Sequence, residues 1–437
     1  MAKKLIAGAA FMAVAALALT GCSGGAADDA NNKIDGEVKG EVKFVTWRTD
    51  LIQDGTFDKY AEEFHAKYPD ATVTFEGITD YEGELRTRLS TENYGDVLGI
   101  PNSVQPDQFA DYFEPLGQTS DLESTYRFLA PKSYDGTQYG LALGGNANGL
   151  VYNTSVFKEA GITELPKSED EFLADLKQIA DKTDATPLYT NYKDGWPLSQ
   201  WTGNVGAITG NPDALNEMTT QDAPWTEGTD IYAIDSLIFD ATSAGLIEAD
   251  PLTTNWEQSK VDFATGKIAT MALGSWAISQ LQAAATDNGE SADTVGYMTF
   301  PASADGTQYA VVGGDYNLGI NIHSKVKAAA KAWIDFLLED SGFTSDQGMV
   351  SALLADPLPD NLAGLTDNGV QLLELNAAPA GEESLLTNIA DKAQIDLYGN
   401  IYRQKLVDIA RGAASGDKQS YFDELNAAWA DARASVG

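Results

Sequence analysis

The sequence predicts an α/β protein of two lobes, preceded by a leader and a tether. β-Branched and aromatic runs alternate with helical periodicities along most of the chain, with short connections, as parallel βαβ units do. About 400 residues follow the N-terminal segment, more than one ordinary core holds and the right number for two lobes. No internal repeat is evident.

The leader comes first. Lys3-Lys4, the apolar run Leu5–Leu19 and small residues up to Gly21 describe a secretory signal peptide over 1–21. The run is shorter than the roughly 20 residues of a spanning helix. Cys22 follows and is the only cysteine, so an internal disulfide and a Cys-rich metal site are both excluded. Residues 22–40 are then Gly, Ala, Asp, Asn, Lys and Glu with few apolar groups, a composition that predicts a flexible tether.

Glu41–Trp47 alternates as a first strand and ends in Trp47-Arg48-Thr49-Asp50. Phe57, Tyr60, Phe64 and Tyr68 mark a helix stopped by Pro69, and Thr72–Phe75 a second strand. Tyr81, Leu85 and Leu89 give a helix, and Asp96–Ile100 a third strand running into Pro101-Asn102. Gln105–Phe113 reads as a short helix. Gln138–Leu143 and Gly149–Tyr152 read as strands around a Gly144–Asn148 loop, whose asparagine amides can donate and accept toward a neutral polar ligand. Ser168 with Glu171 forms a capping box ahead of Phe172, Leu176 and Ile179. Pro187–Thr190 is a strand leading to a polar segment that holds Trp196 and Trp201. Asp230–Ala244 is a helix.

Val261–Ala277 then reads as a helix end closed by Gly266, a buried strand Ile268–Leu273, and a glycine turn presenting Trp276 before another helix. In open α/β sheets the carboxyl ends of strands face the ligand crevice. Val295–Phe300 and Tyr309–Val312 are strands, Gly313-Gly314-Asp315-Tyr316 interrupts, and Leu318–Ile322 continues extended. Helices are predicted over Val326–Leu338, Ile401–Arg411 and Tyr421–Ala434.

Composition narrows the chemistry. The formal charge of −37 disfavours nucleic acid and anionic membrane surfaces as partners. Two histidines weaken any mechanism built on imidazole. With 65 carboxylates, some pair fits almost any acid/base template, so carboxylate pairs carry no information. No Gly-x-Ser-x-Gly, His-Glu-x-x-His or Cys-x-x-Cys motif is present, and nothing points to a metal, a cofactor or an enzyme. The 8 Trp and 18 Tyr, many beside Gly, Asn and Asp, fit sugar recognition instead. A flat aromatic ring covers the C–H face of a pyranose, while Asn, Asp, Gln and Arg pair its hydroxyls.

Several blocks resemble, in order, the extracellular solute-binding proteins of ATP-binding-cassette sugar importers, the group that includes maltose-binding protein. They are Val42–Trp47, Tyr94–Val97, Tyr139–Leu141 through Leu150–Asn153, Val156–Ile162 with the Ser168 cap, Phe263–Lys267 into Gly274-Ser275-Trp276, and Leu318–Ile320. Leu19-Thr20-Gly21-Cys22 resembles the lipobox of bacterial lipoproteins. Gly95 and Ser275 stand where the family often has proline.

The resemblance implies a periplasmic-binding-protein-like fold with a hinge and an interlobe cleft. It implies an N-terminal lobe of 41–150 with about 309–345, and a C-terminal lobe of 151–308 with about 346–437. The implied function is capture of a di- or oligosaccharide by a monomer, lipid-anchored through Cys22 at the extracellular face, that delivers it to a membrane permease. The ligand-binding residues expected are Trp276, Trp47, Arg48, Asp50, Asn102, Asn146, Asn148, Trp196, Trp201, Asp315, Tyr316 and Gln394. A cationic ligand such as a polyamine, held by carboxylates and aromatic faces, and a secreted glycoside hydrolase are the alternatives.

Overall fold

The computed structural model describes residues 32–436. The signal peptide and Cys22 lie outside these residues. Among the described residues no helix is long and apolar enough to cross a membrane.

Two main sheets organise the chain. In the first, Ala71–Gly77, Gly40–Thr46 and Val97–Gly99 lie side by side in parallel, joined through helices Thr56–Lys67 and Tyr81–Arg88. Asn317–Ile320 then pairs antiparallel with Val97–Gly99, and Leu141–Ala142 antiparallel with Asn317–Ile320. The core beside this sheet is aromatic. Phe44 meets Phe57 at 5.6 Å and Trp333 at 6.3 Å, and Phe64 meets Trp333 edge-on at 5.3 Å. Trp333 belongs to helix Lys327–Glu339, so a late segment of the chain seals an early sheet.

The second sheet has the order Thr186–Leu188, Ile268–Ala272, Leu150–Asn153, Val295–Met298, with only the first pair parallel. Its large apolar cluster includes Phe172, Ile234 and Trp429, from helices Glu169–Lys182, Asp230–Ser243 and Lys418–Val436, and Trp225 from the connection before the second of them. Inside that cluster lies one ion pair. Arg403 Nε donates to Asp235 Oδ1 at 2.9 Å with both side chains fully buried, and Trp225 Nε1 donates to the other carboxylate oxygen at 2.8 Å.

Two passages carry the chain between the sheets, and a third, small sheet is made from them. Gly145–Ala147 runs from Leu141–Ala142 toward Leu150–Asn153, and Tyr309–Gly314 runs back toward Asn317–Ile320. They pair antiparallel, Val312 with Ala147 and Gly314 with Gly145, and Gln371–Glu374 adds a parallel strand. This differs from the sequence expectation twice. The Gly144–Asn148 segment is strand over 145–147 rather than loop, and Gly313-Gly314 prolongs a strand rather than interrupting it. Each segment supplies the other's backbone partners, and long-range pairing of this kind leaves no local signal. Close packing accounts for two of the glycines: a Cβ on Gly145 would stand 2.4 Å from the Phe128 ring, and one on Gly314 2.9 Å from the Phe128 side chain.

Three smaller expectations change. The tether does not extend to Gly40, because Asn32 Nδ2 donates to Ser324 O at 2.7 Å and Asn32 Oδ1 accepts from Lys327 N–H at 3.1 Å. Ile34 and Val38 then pack on the core of the first sheet. Packing on the first lobe continues past the boundary expected at about 345: Arg127 N–H donates to Ala352 O at 2.7 Å, and Leu353 bridges Tyr126. At the Ser168 cap, Ser168 Oγ accepts from Glu171 N–H at 3.3 Å, but the Glu171 carboxylate turns back to Lys167 N–H at 2.8 Å.

Candidate functional site

A cavity of about 500 Å³ lies where the strand ends of both sheets meet the crossing strands, within the size range of small-molecule sites. One wall comes from the first sheet. Trp47 leaves the end of Gly40–Thr46, and its ring lies so close over Gly99 that a Cβ there would stand 2.6 Å from it. Tyr316 follows the crossing strand and tilts against Trp47 with ring centroids 4.3 Å apart, while Tyr81 meets both edge-on. The Tyr316 hydroxyl donates to Glu82 Oε1 at 2.6 Å, and that oxygen also accepts from Asn102 N–H at 3.1 Å. Burial first, and then the Glu82 carboxylate, push the Tyr316 phenol far above its ordinary value, so it stays protonated.

The other wall presents Trp196 and Trp276, and Trp256 completes a triangle with them. Trp196, Trp256 and Trp276 have ring centroids 5.2, 5.7 and 5.8 Å apart, in edge-on and tilted arrangements that aromatic quadrupoles favour. Trp276 follows strand Ile268–Ala272 and precedes helix Ala277–Asp287, as its sequence context predicts. Its indole folds over Gly274, where a Cβ would stand 2.7 Å from the ring, and Nε1 donates to Gln200 Oε1 at 3.3 Å.

Polar groups close the cavity between these walls. Asn146 Nδ2 donates to Asp315 Oδ2 at 3.1 Å, and Asn148 Nδ2 to Val311 O at 3.3 Å. Ser275 Oγ accepts from Ala147 N–H at 3.0 Å and thereby links the Trp276 turn to the crossing strand. Burial pushes the Asp315 carboxyl up, against the Tyr316 N–H, the Asn146 amide and the Arg48 charge that favour its ionised form. Arg48 is held by a two-pronged contact to Asp50, at 2.9 and 2.7 Å, and by Gln347 Oε1 at 2.8 Å. Burial raises the Asp50 carboxyl, but the Arg48 contact outweighs it together with backbone N–H groups, and the net shift is downward.

Nine of the twelve expected residues line this cavity: Trp47, Arg48, Asn102, Asn146, Asn148, Trp196, Trp276, Asp315 and Tyr316. Asp50 does not line it and acts through Arg48. Trp201 is a correction. It is 1% exposed in the core of the second lobe, edge-on to Phe300 at 6.1 Å, because the 3-10 turn Gln200–Asn204 points it inward while Gln200 lines the cavity. Gln394 is the second correction. It sits in the left-handed conformation (φ 58°) at the end of helix Leu385–Ala393 and does not line the cavity. The sequence reading missed Gln200, Ser279, Gln280, Gln347 and Met349, which do line it. Ser279 and Gln280 had a signal available, since they occupy the first turn of the helix that Trp276 introduces.

The profile of the bacterial extracellular solute-binding proteins matches residues 49–342, which spans both crossing strands. The chain belongs to that family. Among the relatives of this solute-binding protein is the diacetylchitobiose binding protein DasA of Streptomyces coelicolor, 29% identical over 95% of this chain and 96% of its own. A manno-oligosaccharide-specific solute binding protein of Bifidobacterium animalis subsp. lactis, BlMnBP2, solved with mannotriose, is 35% identical over 93% of this chain and 97% of its own, with a TM-score of 0.84. A chitin oligosaccharide binding protein shares the fold, with a TM-score of 0.68 at 21% identity over 91% of this chain and 99% of its own. The relatives are described as binding proteins rather than enzymes, and the resemblance found in the sequence blocks holds across the chain.

Proposed function

We propose that this solute-binding protein captures a neutral di- or oligosaccharide between its two lobes and delivers it to an ATP-binding-cassette permease. The observation that carries this is the pairing of two aromatic walls, Trp47–Tyr316 and Trp196–Trp276, with amides and one arginine between them. Sugar rings fit between such walls, and the amides and guanidinium pair their hydroxyls. Relatives that take manno-oligosaccharides and diacetylchitobiose support a β- or α-linked hexose chain as ligand.

The lobes are 41–150 with about 309–354, and 151–308 with the remainder, hinged at the paired crossing strands. Closure about that hinge brings the walls together, excludes water from the hydroxyl contacts and creates the shape a permease reads. Cys22, lipidated, holds the chain at the extracellular face of the membrane. Two acyl chains suffice for stable attachment where one is marginal.

A cationic ligand is the second reading, favoured by the net charge of −37 and by Asp315 in the cavity. Arg48 shares the cavity, however, and Asp315 already accepts from Tyr316 N–H and the Asn146 amide. Calorimetric titration with mannobiose, mannotriose, diacetylchitobiose and spermidine separates the two. A saccharide is expected to bind near micromolar, about −8 kcal/mol, with little salt dependence. Binding of spermidine alone, weakened by salt, sinks the saccharide reading.

A further inference from the structure

The aromatic cavity has a neighbour. A second cavity of about 970 Å³ adjoins it, the two sharing Asn102, Asn148 and Gln200 as lining residues. Its walls come from both lobes: the segments around Ser90 and Ser103–Gln108 on one side, and helix Leu385–Ala393 with the following turn to Gly399 on the other. We propose that this second compartment receives the further sugar units of a chain longer than a disaccharide, so that the preferred ligand is an oligosaccharide. The proposal rests on the saccharide reading above and adds chain length to it.

Five observations carry it. The shared residues are all primary amides, the side chains that bridge from one ring's hydroxyls to the next because each both donates and accepts. Gly203 lies against the passage: a Cβ there would stand 2.5 Å from Asn148 Oδ1, so any side chain at 203 displaces an amide common to both compartments. Tyr398, 56% exposed, is an aromatic lining group of the second compartment with its ring open to solvent, an arrangement suited to stacking. Gln105 also lines it, and its Oε1 is buried without a hydrogen-bond partner, a position that a sugar hydroxyl or a water bridging to one satisfies. The second compartment exceeds the first, and either alone falls within the ~300–1,000 Å³ of a small-ligand site, so together they exceed what a disaccharide needs.

The test is calorimetric titration of the full chain with manno- and chito-oligosaccharide series of increasing length. Wild type, Ser103→Trp, which obstructs the second compartment, and Tyr398→Ala, a change at an exposed position, are compared. A stack on the Tyr398 ring, smaller than an indole and open to solvent, is worth about two- to tenfold in Kd. The expected result is a gain of that size or larger from disaccharide to tetrasaccharide in wild type. Both variants should lose the gain while holding the disaccharide Kd within about twofold. Equal binding of all lengths by wild type, or a gain that survives both substitutions, overturns the second compartment and leaves the saccharide reading standing. If no saccharide of any length binds wild type, the saccharide reading itself falls and the inference with it.

Discussion

Replacing Trp276 with alanine removes the ring on which the tryptophan wall meets the cavity. One face of an indole is about half of the 150–250 Å² that aromatic residues bury, or roughly 75–125 Å². At about 25 cal/mol per Å² that face contributes about 2–3 kcal/mol to a stacked ligand, equivalent to ~30–150-fold in Kd. The same ring contacts Trp196 at 5.7 Å and Trp256 at 5.8 Å, and losing two such contacts destabilises the apo protein by about 1–3 kcal/mol. It caps no helix through its side chain, so helix Ala277–Asp287 keeps its start. Calorimetry with the bound saccharide and chemical denaturation of the apo protein read the two effects separately. A folded variant that loses less than about threefold in affinity, well short of the full stacking term, refutes the stacking role. Loss of cooperative unfolding shows instead that the ring belongs to the core.

Three other expectations follow from different parts of the molecule. Arg403→Met strands the Asp235 carboxylate at zero exposure and should cost about 3–5 kcal/mol in urea denaturation, with the saccharide Kd of the folded protein unchanged. Burial pushes the Lys132 amine, which lies over the Phe109 ring, from 10.5 down to about 8. Between pH 8 and 10.5 the unfolded chain therefore binds a proton that the folded chain does not. Stability should rise with pH through that window by up to about 3 kcal/mol, and Lys132→Met should flatten the rise. The buried tyrosines act oppositely but only above their free value of 10.0, as for Tyr297. Cys22→Ser should move the protein from the membrane to the soluble fraction and abolish its lipid mass increment in mass spectrometry.

Much of the architecture was legible because it follows from local pattern. The strand at Ile268–Ala272 is buried at every position, and the helix at Glu169–Lys182 shows its core face at Phe172, Leu176 and Ile179. Trp47 and Trp276 were legible as candidates because each stands beside a strand end, and Asn146 and Asn148 because their amides sit among glycines, although that segment was expected to be a loop. The site failed to be legible where a side chain's direction is set by a turn. Gln200 and Trp201 are neighbours in one 3-10 turn, and nothing in their order says which faces ligand and which faces Phe300. Gln347 and Met349 were missed for another reason. They arrive from a segment remote in sequence, after a helix whose apolar face identifies it only as core. The strand character of 145–147 was hidden because its partner lies at 312–314.

The eight tryptophans fall into two groups of four. Trp201, Trp225, Trp333 and Trp429 are almost wholly enclosed, while Trp47, Trp196, Trp256 and Trp276 are partly open and gather at the cleft. Emission from the enclosed set should be blue and insensitive to added solute. The gathered set, with three rings within 6 Å of one another, passes excitation between its members and emits from whichever is most open to water. A sugar that covers any one of them alters the output of all three. Intrinsic fluorescence should therefore report occupancy with a constant background from the interior, giving the protein an optical readout with no label attached.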